Sequence, residues 1–407
     1  MTKTGVTGFL QMSRSSRGLG HRPFTAATGV RIPYGMPKLF YANFYESQRA
    51  LRHGFRLACK SIMCQAFSYK TAFLGWNMGQ TARDELATRA ATPWHYHPDL
   101  PVTNNPLFDW PPQPKKIITY YRDSWLVISE TSLFFLLACV GWYFASPPLA
   151  TMQSFGAEWV FFVWLRTLSV VILVAGSLHW YFYHYRGQGA TLKYVMQFGH
   201  RDAPRFHFGA QLYDNVFWSL ASGVSIWTAY ECVMLWGLAN GFAPSLSWHQ
   251  NPWLFAAIFV FTGMWIALHF YCGHRLLHTD FLYKTVHSLH HRNVNVGPWS
   301  GISMHPIEHV IYFSSILVHF VVPSHPMHIL FHMYMLGLSA IFGHTGFDAL
   351  LMKNRERLKL GHFHHQLHHR YFECNYGSVD FPLDRLFGTF HDGTMAANQK
   401  MHKRLKR

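Results

Sequence analysis

Histidine is concentrated in one short part of this 407-residue chain. Residues 274–309, HRLLHTDFLYKTVHSLHHRNVNVGPWSGISMHPIEH, contain seven histidines in 36 residues and follow directly after an apolar run. A neutral imidazole contributes little as core filler, but it is a common ligand for a transition metal. The spacing of these histidines therefore decides between a packing role and a metal site.

The spacing is that of one helix face. His274 and His278 are four residues apart, so both imidazoles lie on the same face if the preceding helix continues for another turn. His287, His290 and His291 repeat this geometry at positions i, i+3 and i+4. We expect all five side chains to converge from two helical turns joined by a short link.

A further histidine group lies later in the chain, in GHFHHQLHHRYFECNYGSVDFPLDRLFGT at residues 361–389. His365, His368 and His369 again follow the pattern H-x-x-H-H. The three patterns supply eight imidazoles, which is too many for one tetrahedral zinc ion and suits two metal ions held by nitrogen. Other histidines, such as His319 and His332, are expected to be packed or interfacial polar groups.

Composition indicates a multi-pass membrane protein of the all-α class. Half of the residues are hydrophobic and only 13% are charged. Four apolar stretches approach or exceed the roughly 20 residues that a helix needs to cross a bilayer. The predicted spans are Trp125–Ala145, Trp159–Phe182, Val216–Leu238 and Trp253–Gly273.

A fifth apolar stretch, His309–Phe342, is interrupted by Pro323 and Pro326 and is predicted to form a broken helical hairpin. Each arm is short, so we expect the hairpin to dip into the membrane and return to the side from which it came. Residues 146–158 and 239–252 contain no Lys or Arg, whereas residues 183–215 contain several. This asymmetry places the histidine segments, and with them the expected metal-binding cap, on the cytoplasmic side.

The formal net charge of +16 does not indicate nucleic-acid binding, because the basic residues flank the spans and gather at the chain ends, where they suit anionic lipid headgroups. The six cysteines form no C-x-x-C pair, so neither a disulfide framework nor a thiolate metal site is expected. Inside the spans, Glu130, Arg166 and Glu231 must face protein or water. They are expected either to pair between helices or to line a substrate or proton route.

The chain divides into four parts. The first is basic, with six Lys or Arg in its first 45 residues, and resembles either an organelle transit peptide or a disordered arm. Its segment from Lys38 to about Lys70 is expected to form an amphipathic helix, lying at the membrane interface or packed on the protein. The predicted parts are 1–92 basic arm, 93–124 Pro/aromatic-rich connector, 125–395 membrane catalytic domain and 396–407 basic tail.

The histidine patterns on a four-span protein resemble the sterol desaturase and fatty acid hydroxylase superfamily. The motifs HPIE at 305–308, HTG at 344–346 and NYG with D-x-LFGT between 375 and 389 add to the resemblance, which covers roughly residues 125–395. It implies a membrane-bound di-iron oxygenase that uses dioxygen and two electrons to hydroxylate or desaturate a lipid. The metal ligands that it implies are His274, His278, His287, His290, His291, His365, His368 and His369, with His305 and His344 as further members and His362 and His364 as additional candidates.

One position departs from part of the superfamily. Some fatty-acyl hydroxylases have a second histidine four residues after the position of His344, and this chain has Asp348 there. Coordination would be completed by His362, by His364, or by a carboxylate or water. Glu308, Asp280 and Asp384 are candidates for the hydrogen bonds that orient the ligating rings, although Asp384 could equally pair or cap locally.

The resemblance favours a sterol as the substrate, with desaturation at C5 as in the sterol C-5 desaturases. The alternative within the class is a fatty-acyl or sphingoid-base hydroxylase. The alternative from another class is a histidine-rich membrane protein that binds or transports metal. Electrons would come from a separate b-type cytochrome or ferredoxin with its reductase, and the membrane would be the endoplasmic reticulum, a bacterial inner membrane or an organelle membrane.

Overall fold

A computed structural model describes residues 93–201 and 203–405, which belong to one compact unit. The predicted arm 1–92 and its amphipathic helix lie outside the described residues. The described part is mostly helical, as expected. In chain order its helices are α1 Pro114–Trp125, α2 Glu130–Phe144, α3 Ala157–His179, α4 Gln211–Trp218, α5 Ser225–Ala239, α6 Pro252–Leu277, α7 Asp280–Leu282, α8 Ser288–His291, α9 Pro306–Phe313, α10 Pro326–Gly343, α11 Phe363–Tyr371, α12 Leu383–Leu386 and α13 Met395–Leu405.

Three helical segments are long and apolar enough to cross a membrane: Ala157–His184, which is α3 with its π-helical end, α6 and α10. The helices α1 and α2 meet at a bend of 41°, and together they would add a fourth segment if they form one span. This identifies an integral membrane protein with three or four candidate spans, of which the α1–α2 pair, α3 and α6 overlap the predicted spans Trp125–Ala145, Trp159–Phe182 and Trp253–Gly273. The predicted span Val216–Leu238 is helical, with α4 and α5 joined by the π-helical segment Ser219–Val224, but it is not among the candidate spans. Much of it is buried inside the bundle.

The predicted hairpin is present and breaks where the prolines stand. Its first arm is α9 followed by the 3₁₀ segment Ser314–Phe320, and its second arm is α10. The hairpin reaches across the bundle, further than expected. At its tip the Leu246 N–H donates to the Ser324 carbonyl, and His328 contacts the Phe255 carbonyl near the start of α6. The first arm is roughly 26 Å long, because an α-helix rises about 1.5 Å per residue and a 3₁₀-helix about 2.0 Å per residue.

Three helices begin with a polar cap followed directly by proline. Asn251, His305 and His325 each accept a hydrogen bond from a backbone N–H in the first turn, and each is followed by Pro. Proline at the first helical position has no N–H to satisfy and already has a helical φ. These sites therefore fix where α6, α9 and α10 start, and so which residues reach their other ends.

The connections sort to two ends of the bundle. Asn240 donates to the Gln153 carbonyl at 3.0 Å, and the backbones of Ser245 and Ser324 form an isolated β-bridge. The two loops without Lys or Arg therefore meet at the end of the bundle that holds the hairpin tip. At the other end, the backbones of Lys193 and Phe347 form an isolated antiparallel β-bridge beside the histidine segments. The basic segment 183–215 and the histidines therefore share one end of the molecule.

A two-stranded antiparallel sheet follows α10, and the sequence did not predict it. Its strands are β1 Ala349–Met352 and β2 Arg355–Lys359. The two residues between them, Lys353 and Asn354, have φ values of 52° and 57°. Positive φ at both turn positions matches the right-handed twist of a hairpin and closes it tightly.

The charged residues predicted inside the spans have two different partners. Arg166 and Glu231 form a buried ion pair between α3 and α5, and Arg166 also donates to Ser146 Oγ at 2.8 Å. Interhelical pairing is therefore confirmed for these two. Glu130 lies apart, at the first residue of α2 beside Ser339 and His362.

Arg166→Met should lower the free energy of unfolding by about 3–5 kcal/mol, because it leaves the Glu231 carboxylate buried without its cation. Adding Glu231→Leu should restore much of that loss. The control is Arg122→Met, which removes an exposed pair with Asp123 and should cost less than about 1 kcal/mol. Unfolding of the detergent-solubilised protein measures all three, and equal losses for Arg166→Met and Arg122→Met would contradict the prediction.

Candidate metal centre

Nine histidines meet at one end of the bundle in two adjoining groups. Within each group the nitrogen atoms that could bind a metal all lie within 4.8 Å of one another. The rings of His291 and His369, which belong to different groups, have centroids only 4.8 Å apart. Group A consists of His274, His278, His287, His291 and His368; group B consists of His290, His344, His365 and His369.

Short helical elements carry the ligands of both groups. The last turn of α6 holds His274, and His278 caps its end. A π-helical turn, Tyr283–His287, leads into α8, so the second histidine pattern faces the first. Because His290 and His291 are adjacent on α8, they point to different groups.

The other two helices close the centre from the opposite side. In α11, His368 belongs to group A, while His365 and His369 belong to group B. His344 caps the end of α10 and completes group B. The chain 298–301 packs tightly on that helix end: a side chain at Gly301 would meet the Ala340 carbonyl oxygen at 2.3 Å. Only glycine permits this approach.

Backbone carbonyls fix the orientation of four rings. Nδ1 of His274 lies 2.6 Å from the Tyr376 carbonyl oxygen, and Nδ1 of His368 lies 2.6 Å from that of Cys374. In group B, Nδ1 of His344 contacts the Ala340 carbonyl at 2.8 Å and Nδ1 of His290 contacts that of Ser303 at 3.3 Å. A carbonyl only accepts, so each Nδ1 carries the hydrogen and each Nε2 offers a lone pair.

The loop Cys374–Gly377 supplies two of these carbonyls, from alternate residues. Asp384 holds the loop, because its carboxylate accepts from the backbone N–H groups of Tyr376 and Gly377 at 2.9 and 2.8 Å. Thr389 Oγ1 donates to the same carboxylate at 2.6 Å. Of the two roles that the sequence left open for Asp384, the structure shows the local one: it caps this loop and so orients His274 only through the backbone of Tyr376.

Glu308 has the direct contact that the sequence suggested. Its Oε1 lies 2.8 Å from Nδ1 of His287, and both side chains are buried. Burial raises the pKa of Glu308 well above its usual value, so the carboxylate favours its protonated form unless positive charge lies nearby. A cation in group A would supply that charge and lower the pKa.

The imidazoles beyond the end of α6 are held neutral. Burial, with the proximity of other histidines, lowers the pKa of His287, His291 and His368 well below the usual value. For His290, burial lowers the pKa to about 4, although its hydrogen bond to Ser303 opposes the shift. Neutral rings at neutral pH are the form that binds metal.

These features fit transition-metal ions. Each group contains two rings whose Nε2 lone pairs must point inward, and among the described residues neither group includes a Cys, Asp or Glu. Several Nε2 atoms lie 3.0–3.2 Å apart, as for His291 with His368 and with His278. The carbonyl-bound rings of each group leave Nε2 lone pairs that a cation could accept, and imidazole suits iron, copper and zinc. Two groups could hold two ions.

Three histidines that the resemblance suggested lie outside both groups. His305 caps α9, with its Nδ1 accepting from the Ile307 N–H at 3.2 Å. His362 faces Glu130 at 3.5 Å. His364 is buried with its ring against Phe390. Asp348, which stands where some relatives have histidine, accepts from Tyr194 Oη at 2.9 Å, and group B has four members without it.

A cavity of about 1180 Å³ adjoins the histidines. It exceeds the roughly 300–1000 Å³ that small-molecule sites usually occupy. Group members His274, His290 and His344 line one part of it. Elsewhere its wall is mainly apolar, formed by side chains of α6 and α10 and by the bend between α1 and α2, with several polar and charged side chains among them. The apolar wall residues include Val127, Ile128, Phe259, Ile266, Phe270, Phe331 and Met335.

Residues 259–389 match the model of the fatty acid hydroxylase family. This range contains all nine histidines of groups A and B. No solved structure matches the chain. The family match therefore rests on the same segment that forms the centre.

Curated relatives are similar over the same part of the chain. A Delta(7)-sterol 5(6)-desaturase of Gibberella zeae is 32% identical over 139 residues, 33% of this chain and 42% of the relative. That of Candida glabrata is 28% identical over 138 residues, 33% and 37% respectively. A very-long-chain aldehyde decarbonylase of Oryza sativa subsp. indica is 33% identical over 128 residues, 30% and 48%. The chain thus covers less than half the length of each of these proteins.

Glu308→Gln should weaken iron binding about 10- to 100-fold, the usual effect of losing a partner that orients a metal-ligating histidine. The substitution removes the negative charge beside His287 without changing the size of the side chain. Glu373→Gln is the matched control, since Glu373 is exposed and belongs to neither group. Iron retained against a competing chelator measures the effect, and equal retention in both variants would refute it.

Proposed function

We propose that the chain is a membrane-bound di-iron oxygenase that desaturates a sterol, a member of the superfamily whose fatty acid hydroxylase model residues 259–389 match. The observation that carries the proposal is the position of two buried histidine groups at the wall of a large, mainly apolar cavity. The nine clustered histidines would be the iron ligands. His305, His362 and His364 would not bind iron directly.

When bound, iron supplies the redox chemistry by which dioxygen removes hydrogen from an unactivated carbon. The residues of the chain bind and orient the ions. The carbonyls of Tyr376, Cys374 and Ser303 keep the ligating rings in one tautomer, and burial keeps the rings neutral. Neutral ligands leave the positive charge of the metal largely uncompensated, apart from the Glu308 carboxylate beside His287.

The cavity would accept the lipid and exclude water. Leu126 and Ile128 at the bend between α1 and α2 are 83% and 69% exposed, and Ile128 also lines the cavity. An apolar substrate could therefore pass from the bilayer to the histidines without crossing water. The apolar wall would keep water from the reacting carbon, which prevents side reactions of the activated oxygen.

A sterol is the proposed substrate because the similar curated proteins include several named Delta(7)-sterol 5(6)-desaturases. Desaturation at C5 and C6 removes two hydrogens, and two electrons from a b-type cytochrome or ferredoxin, with two protons from solvent, complete the reduction of dioxygen to two waters. The centre would face the cytoplasm, since it shares its end of the bundle with the basic segment 183–215.

Two alternatives lead to different expectations. A fatty-acyl or sphingoid-base hydroxylase would use the same histidines on a chain-like substrate. A metal transporter would place its ligands along a path through the membrane, whereas groups A and B lie together at one end. We therefore favour the enzyme.

Replacing His290 and His291 by Ala removes one ligand from each group. We expect oxygen-dependent conversion of a Delta(7)-sterol to its conjugated 5,7-diene to fall to background, while the protein stays in the membrane. His249→Ala, in the exposed loop before α6, should leave turnover unchanged. Membranes supplied with sterol, dioxygen and an electron-donor system provide the assay, with mass spectrometry to detect loss of two hydrogens. Undiminished conversion by the double variant would defeat the proposal.

A further inference from the structure

Three polar side chains form a cluster in the wall of the cavity, outside groups A and B. Glu130 opens α2, Ser339 lies in the last turns of α10, and His362 precedes α11. All three line the cavity. Ser339 Oγ lies 3.4 Å from both carboxylate oxygens of Glu130, and His362 Nε2 lies 3.5 Å from Oε1.

These contacts are longer than the usual hydrogen-bond distance of about 2.7–3.0 Å. The Glu130 side chain is 25% exposed and that of His362 is 43% exposed. The carboxylate therefore has lone pairs that neither neighbour fully uses. Another polar pair in the cavity wall differs, because Tyr120 donates to Asp380 at 2.5 Å and satisfies it.

The cluster lies next to group B. The His362 backbone N–H donates to the Gly343 carbonyl at 3.3 Å, and a side chain at Gly343 would meet Nδ1 of His362 at 2.6 Å. His344, the next residue, is a member of group B. The ring of Phe134, one turn after Glu130, packs on Phe342 at 5.1 Å, which holds α2 against this end of α10.

We propose that Glu130, Ser339 and His362 bind the C3 hydroxyl of the sterol and so place C5 and C6 beside the histidine groups. This inference rests on the proposed function and adds the group by which the substrate is recognised. A sterol is almost entirely apolar and has one hydroxyl, on a carbon two bonds from C5. A polar cluster with unused lone pairs beside group B, in a mainly apolar wall, matches that distribution.

The cluster offers a hydroxyl both a hydrogen-bond acceptor and a hydrogen-bond donor. The hydroxyl would donate to the Glu130 carboxylate and accept from the His362 Nε2–H. Nδ1 of His362 faces Gly343, which leaves Nε2 directed at Glu130. The sterol rings would then lie on apolar residues such as Phe259, Phe331 and Met335. A fatty acid, with its polar group at one end of a long chain, would not place a mid-chain carbon here.

The proposal is tested on the full chain by a double-mutant-type cycle, in which one change is made in the protein and the other in the ligand. The protein change is Glu130→Leu and, separately, His362→Leu. The ligand change replaces the radiolabelled Delta(7)-sterol by its 3-deoxy analogue. Binding to the purified protein is measured directly, so the readout does not depend on turnover. Glu158→Leu and His249→Leu are matched controls, since Glu158 also stands in the first turn of an apolar helix and both residues are exposed.

We expect the wild-type protein to bind the hydroxysterol about 10-fold or more tightly than the 3-deoxysterol, as for a hydrogen bond to a charged group. In the Glu130 and His362 variants this preference should disappear, with little change in binding of the 3-deoxysterol. The control variants should keep it.

Equal losses of both ligands in the variants would overturn the hydroxyl site, because the effects would be additive and the cluster merely structural. If the wild type desaturates the sterol without preferring the hydroxyl, the subsite fails while the proposed function stands. If the wild type neither binds nor desaturates any sterol, both proposals fail.

Discussion

The hydrogen on Nδ1 of four imidazoles determines that their Nε2 atoms are available to bind metal. Because carbonyl oxygens hold Nδ1–H of His274, His290, His344 and His368, their Nε2 lone pairs have no direction but inward. Two such lone pairs in each group, among ligand atoms within 4.8 Å of one another, are acceptors ready for a cation. The centre is thus preorganised for metal by its backbone contacts rather than by its ligands alone.

This constraint accounts for parts of the fold that lie away from the ligands. The loop 374–377 must present two carbonyls from alternate residues, and Asp384 fixes it through two backbone N–H groups and Thr389. Gly301 lets the chain that carries Ser303 approach the end of α10. Caps followed by proline set where α6, α9 and α10 begin, so that His274 and His344 arrive at the same end of the bundle.

Helical periodicity in the sequence predicted much of the site, because the H-x-x-x-H and H-x-x-H-H spacings depend only on local geometry. All eight histidines in these patterns lie in the two groups, and the resemblance added His344. It also suggested His305, His362 and His364, which local contacts hold elsewhere. The carbonyl partners could not be found this way, since any residue has a carbonyl and only the tertiary fold selects Cys374 and Tyr376. The reach of the hairpin across the bundle was underestimated because apolarity does not distinguish α from 3₁₀ rise, and the strand pair 349–359 has too few residues for a clear alternation.

The metal content of the purified, active protein tests the account most directly. Elemental analysis combined with X-ray absorption should find two iron ions per chain, each surrounded by nitrogen ligands. An active sample without bound transition metal, or one whose metal is ligated mainly by oxygen or sulfur, would contradict the claim that these inward lone pairs exist to hold the ions.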